Sequence, residues 1–246
     1  ESWAGGSGEF GGWLPWRKNT PARGGLALGR PGSFTSSVGS FSNALRRKDG
    51  MFKRVSCLDQ LYAQGTLALL ALTDKAKAWA LASNGCFPMN DEGPEGETQF
   101  SKYADIQGDP VMQNRVKFSS LKRHRRAIEK LLRSYNNDPS KLFDIARLAI
   151  IFDTLDDVYA CLENISGDPE VEVVRIKNRL SLAHDSSGTA GYRDVNVNIM
   201  VQTDTTRITG THMHICEVQL VLRSFANLKT AEGHKRYVRY RDFRAQ

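Results

Sequence analysis

Residue order in this chain predicts an α+β fold, and three observations carry the prediction. In Gly191–Ile199, Val195, Val197 and Ile199 face one way while Asp194, Asn196 and Asn198 face the other, the alternation of a half-buried strand. In His214–Leu220 and on to Val221, the residues Ile215, Glu217, Gln219 and Val221 share a face. The third observation is Leu58–Ala82, rich in Ala, Leu, Lys and Gln, with Leu61, Leu69, Leu72, Ala76 and Trp79 near one helical face. The predicted segments follow as helix, strand, helix, strand, strand, strand, helix, which is α+β rather than α/β.

The elements justify themselves in chain order. Residues 1–56 read as an extended basic arm rich in Gly and Ser, carrying Trp3, Trp13 and Trp16. Alone, such a segment cannot offset the entropy of ordering it. The arm is expected either to dock on a partner, with its Trp residues as anchors, or to pack back on its own domain. Gly85 and Pro88 close the helix that starts at Leu58. Asn90–Asp109, with Asp91, Glu92, Glu95 and Glu97 among glycines, reads as an acidic loop, so residues 57–109 form a helix-and-loop segment before a main domain at 110–246.

In that domain Arg115–Ser120 precedes a basic helix, with Ser119 or Ser120 as its N-cap. Lys122, Arg123, Arg125 and Arg126 crowd its first turns, where cations oppose the helix dipole unless an anion binds there. Leu142–Phe152 reads as a buried strand, and Asp153-Thr154 caps a helix over Leu155–Ile165. Val171–Ile176 alternates as a strand, and Lys177–Ala190 reads as a polar loop. The two alternating runs follow, joined through Thr203–Gly210, and a helix with a basic tail starts at Arg223.

Composition narrows the function classes. The 246 residues carry a net charge of +7. Nine basic residues against three acidic ones fall within residues 1–56, so the rest of the chain is nearly neutral. A basic arm suits an acidic protein, RNA or a membrane surface; a protein partner in a larger complex is the favoured reading. The longest apolar stretch, Thr66–Thr73, is too short to span a bilayer. The four cysteines, Cys57, Cys86, Cys161 and Cys216, form no C-x-x-C pair, and a reducing, intracellular compartment is the expectation. His212 and His214 share an alternation face, but two ligands are too few for a metal site. Glu217 sets a carboxylate among apolar neighbours on a strand face, which is costly unless it is solvated, paired or covered by a ligand.

Several motifs in order resemble the RelA/SpoT-like nucleotidyltransferase fold, the synthetase domain of (p)ppGpp enzymes, over about residues 110–240. They are Arg115 and Lys117 followed by Ser119 or Ser120; Asp144 opening Asp144-Ile145-Ala146-Arg147-Leu148-Ala149; Lys177; Gly191-Tyr192; Glu217-Val218-Gln219; and Glu232-Gly233-His234-Lys235-Arg236-Tyr237. The resemblance implies a mixed β-sheet flanked by helices. It also implies an Mg²⁺-dependent transfer of pyrophosphate from ATP to the 3′-hydroxyl of GDP or GTP. Asp144 and Glu217 would hold the metal, and Glu217 would assist the hydroxyl. Arg115, Lys117 and Ser120 would grip ATP, helped by Lys177 or Arg179. Tyr192 would stack on the acceptor base, and Gln219 would complete the nucleotide site.

The chain also departs from the family pattern. Ala149 stands in the place of an arginine, with Arg147 expected on the other face. Asp194 and Asn196 stand for a serine and a histidine, and the lysine expected before Gly191 is absent. Each lost charge-assisted contact removes roughly 1.5–3 kcal/mol, and Asp194 adds negative charge near the phosphates. The leading expectation is therefore a catalytically degenerate subunit, a pseudoenzyme held in a larger assembly by its arm. The alternatives are an active pyrophosphokinase and an RNA-binding subunit. Plant and algal members of this family often work in plastids, and the chain begins at Glu1. A cleaved targeting peptide or an artificial boundary would each explain that start, and a plastid location is the expectation.

Overall fold

A computed structural model describes residues 43–46, 52–92, 98–118, 120–187 and 191–227. The tryptophans of the arm and the segment Glu232–Tyr237 lie outside the described residues. Within them the chain is α+β, as the residue order predicts. A mixed six-stranded sheet runs in the order β4-β3-β5-β8-β7-β6. Its strands are β3 (Cys86–Glu92), β4 (Thr98–Lys102), β5 (Arg147–Phe152), β6 (Val171–Asn178), β7 (Val195–Val201) and β8 (Ile215–Leu222). β5 and β8 are parallel and the other pairings antiparallel. A separate hairpin pairs β1 (Ala44–Arg46) with β2 (Phe52–Arg54).

One face of the sheet is the core. Leu148, Ile150 and Phe152 of β5, Val197 and Ile199 of β7, and Cys216, Val218 and Leu220 of β8 pack against two helices. These are α1 (Leu58–Ala82) and α5 (Leu155–Gly167). α1 has the predicted bounds, and its buried positions Leu61, Ala68, Leu72, Ala76 and Trp79 follow the 3.6-residue period. α5 starts where Thr154 accepts a hydrogen bond from the Asp157 amide, so the predicted cap holds.

Three expectations are corrected. Residues 57–109 do not stand apart as helix and loop: α1 shares the main core, and the acidic stretch runs into β3 and β4 of the same sheet. Short helices α2 (Tyr103–Ile106) and α3 (Pro110–Asn114) follow. The arm, in turn, does not extend to residue 56. The buried Asn43 side chain donates to the Ser140 and Leu142 carbonyls and accepts from the Ile215 amide, which ties β1 and β2 to the domain. The basic helix α4 spans His124–Ser134, with Arg123 at its N-cap and no side-chain cap. The reason lies just before it. The Lys122 amide donates to Ile145 O, and Lys122 O accepts from the Tyr62 hydroxyl, so that backbone is committed before a helix can start.

Gly85 joins α1 to the sheet, and no larger residue fits there. A Cβ would lie 2.6 Å from Ile150 Cγ2 and 2.8 Å from Ala80 Cα. The Ala80 contact is backbone and cannot yield cheaply. Gly85→Ala is expected to cost roughly 1–3 kcal/mol, read as a lower urea midpoint at unchanged slope.

Candidate active site

The second face of the sheet carries the chemistry. In register across β5, β8, β7 and β6, one row reads Arg147, Glu217, Asn198, Arg175 and the next Ala149, Gln219, Asn196, Lys177. Arg179 follows just beyond β6, its amide bonded to Asp194 O. A register break between Val173 and Arg175 sets this phase: Val173 packs on the core side, while Arg175 and Lys177 point to the other face with Asn198 and Asn196. α4 and the segment before it wall the face, and together they enclose a cleft of about 620 Å³. Nine basic side chains and three carboxylates line it. Such a balance draws in polyanions.

Asp144 lies at the foot of this cleft, 6% exposed. Its Oδ2 accepts from Lys122 Nζ at 2.6 Å and from Lys130 Nζ at 2.9 Å. Burial alone would raise the Asp144 pKa, but the two ammonium groups hold it below the ordinary carboxylate range. Asp144 Oδ1 is buried and accepts no hydrogen bond. Glu217 accepts from Gln219 Nε2 at 2.7 Å. Of the three lining carboxylates, Glu217 is the one that forms no ion pair among the described residues, since Glu129 is paired with Arg126. Lys177 has its pKa lowered, by burial first and then by the charges of Arg175 and Arg179; an anion bound beside it would relieve that crowding.

A second cavity of about 290 Å³ adjoins the first. Pro88, Lys117 and Phe118 line it, and it shares Ser120 and Arg147 with the larger cleft.

A sequence profile described as the region found in RelA / SpoT proteins matches residues 119–244. The chain belongs to the RelA/SpoT family. Solved structures similar to this RelA/SpoT chain include small alarmone synthetase 2 from Bacillus subtilis, at 16% identity and TM-score 0.46, with 76% of this chain and 83% of that one covered. Small alarmone synthetase 1 from the same organism gives 20% identity and TM-score 0.41, covering 56% and 72%. A GTP pyrophosphokinase family protein from Streptococcus pneumoniae gives 21% and 0.42, covering 57% and 70%. No curated protein matches the chain.

The RelA/SpoT motif residues fall into two groups. Asp144, Glu217, Gln219, Lys177 and Ser120 meet in the cleft, and Lys117 reaches its smaller neighbour. Arg115 and Tyr192 line neither cavity. Arg115 is exposed at the end of α3, with Nη1 3.4 Å from Met112 Sδ. Tyr192 packs with Cys86, Ile151, Val221 and Phe225, an apolar cluster on the cleft side of the sheet, where burial pushes its hydroxyl pKa well up. Ser119 is outside the described residues.

Two of the expected losses read differently in space. Arg147 is not on the opposite face from position 149: residues i and i+2 of a strand share a face, and Arg147 lines the cleft beside Glu217. Nor does Asp194 put charge into the cleft, because it is fully buried and bonded to Arg179. The sequence reading did not single out Lys130 or Arg175. The spacing of Arg175, Lys177 and Arg179 at every second residue was the available signal for the latter.

His214 does not sit on a strand with His212; it precedes β8 and is fully buried, with neither ring nitrogen hydrogen-bonded. Among the described residues no group of three or more His, Cys, Asp or Glu side chains could hold a metal. Burial lowers the His214 pKa from 6.5 to about 4. The unfolded chain therefore binds a proton that the folded one refuses, and stability falls as pH drops from 6.5 towards 4. The full loss is about 3 kcal/mol. His214→Leu should flatten that part of the stability profile, measured by denaturant titration at several pH values.

Proposed function

We propose that this chain is an active Mg²⁺-dependent pyrophosphokinase that moves the β,γ-diphosphate of ATP to the 3′-hydroxyl of a guanine nucleotide. The observation that carries the reading is the set of cations around Asp144 and Glu217. The sequence pattern suggested that the phosphate contacts were gone. In space, Arg147 stands in the cleft two residues from the position expected of an arginine, and Arg175, Lys177 and Arg179 form a row opposite it. This favours the enzyme over the degenerate subunit.

In this reading, Arg147, Ser120 and Lys117 bind the donor's phosphates: Arg147 and Ser120 line both cavities, and Lys117 lines the smaller one. The row of Arg175 and Lys177 on β6 and Arg179 just beyond it faces the remaining phosphate charge. Glu217 takes the proton of the attacking 3′-hydroxyl. That oxygen bonds to the β-phosphorus of ATP, the bond from that phosphorus to the α–β bridging oxygen breaks, and AMP leaves. The donor set suits a hard cation: two carboxylates, of which Asp144 keeps a buried oxygen without a hydrogen bond. Asp144 and Glu217 would hold Mg²⁺, which when bound supplies charge neutralisation for the phosphates. Until then Lys122 and Lys130 balance the charge of Asp144.

The test is incubation of the chain with ATP, Mg²⁺ and GDP or GTP, with products separated by anion exchange. AMP and a guanosine 3′-diphosphate should appear in equal amounts. Arg147→Ala should raise the KM for ATP about tenfold or more, the loss of one charge-assisted phosphate contact. Absence of transfer to both acceptors by a chain that binds both nucleotides would return the function to a binding subunit.

A further inference from the structure

The pair Asp194–Arg179 is a buried charge contact beside the cleft. Asp194 has no exposed surface. Its Oδ1 accepts from Arg179 Nε at 2.7 Å, and Arg179 Nη2 lies 2.7 Å from the same oxygen as an ion pair. The backbones are joined as well, the Arg179 amide donating to Asp194 O at 2.8 Å. From the other side, the Arg193 guanidinium donates to the carbonyls of Arg179, Ser181 and His184. Arg179 is thus held at its amide, its carbonyl and its guanidinium, and it lines the cleft.

A buried ion pair is a poor source of stability, because desolvating two charges offsets most of their attraction. An arginine head committed by a carboxylate on one edge still has donors on the other, and its orientation is set before a ligand arrives. We propose that Asp194 is the positioning residue of Arg179, one of the cleft cations already set against the phosphates, and that it fixes this guanidinium for gripping a polyphosphate. The ligand class is a nucleoside polyphosphate, or the bare polyphosphate chain, whose oxygens accept from the free edge of the guanidinium. This rests on reading the cleft as a nucleotide site.

The experiment uses the full chain and inorganic tripolyphosphate as the probe, with affinity measured by calorimetry and folding followed by thermal melting. Asp194→Asn keeps the shape and removes the charge. Arg179→Met with Asp194→Leu replaces the pair by apolar groups and guards against loss of folding. Both variants should melt as folded proteins and bind tripolyphosphate about tenfold or more weakly than the wild type. In the transfer reaction, Asp194→Asn should raise the KM for one nucleotide by a similar factor while kcat changes by less than about threefold.

A purely structural pair would lower the melting temperature and leave affinity unchanged in the folded variants; that outcome overturns the proposal. Equal losses in kcat without a change in KM also overturn it. Tight tripolyphosphate binding by a wild type that transfers no pyrophosphate, weakened in both variants, supports the role of Asp194 and removes the proposed activity. A wild type that binds no tripolyphosphate removes both.

Discussion

Glu217→Gln should abolish pyrophosphate transfer while nucleotides still bind. Removal of a general base lowers turnover by roughly 10²–10⁴-fold, and loss of a metal ligand can only add to that. The glutamine preserves the shape and still offers an oxygen to Gln219, which now lies 2.7 Å from Glu217. The effect should therefore fall on kcat, with nucleotide affinity changed only a few-fold. Glu217 is singled out because it accepts from Gln219 but forms no ion pair among the described residues. Asp144 is taken up by two lysines and Glu129 by Arg126, so Glu217 is the lining carboxylate available to accept a proton. Single-turnover kinetics beside equilibrium binding would separate the two quantities. Turnover unchanged in this variant would sink the enzyme reading.

The second large effect is expected in stability. Asp144→Asn leaves the ammonium groups of Lys122 and Lys130 near each other without their shared counter-charge, and Lys122 is itself 9% exposed. Breaking a buried pair in this way costs about 3–5 kcal/mol. Lys130→Met in the same chain removes one of the stranded charges and should recover part of the loss. Denaturant unfolding of the two variants checks both statements. The pH dependence has a definite sign. The folded pKa of Asp144 is depressed, so its pairing stabilises the fold above the ordinary carboxylate pKa, and that stabilisation is lost as pH falls through the depressed value. In Asp144→Asn that component of acid sensitivity should be missing.

Much of this protein is legible along the chain. α1, the Thr154 cap, and the alternation of β7 and β8 are local properties of propensity and period, and a local rule suffices to find them. The pairing of Asp144 with Glu217 across one cleft was legible only through the family motifs, since no period links two residues so far apart. The strands β3 and β4 are not legible because Pro88, Asn90, Asp91 and Glu92 in β3 and the Gly-, Pro- and Glu-bearing run just before β4 carry turn signals, and pairing in the sheet overrides them.

By itself, the sequence determined the α+β class, the helix and strand cores, and the family. The tertiary structure alone decided where charge lies. Ladder register brings Arg147 beside Glu217 and sets Arg175 and Lys177 on the same face, through a register break that no strict alternation predicts. Burial converts Asp194 from a repulsive charge into the partner of Arg179. Packing draws Tyr192 into an apolar cluster outside the cleft lining. The physical reason is common to all three: charge acts through distance and dielectric, and both are set by contacts between strands remote in sequence.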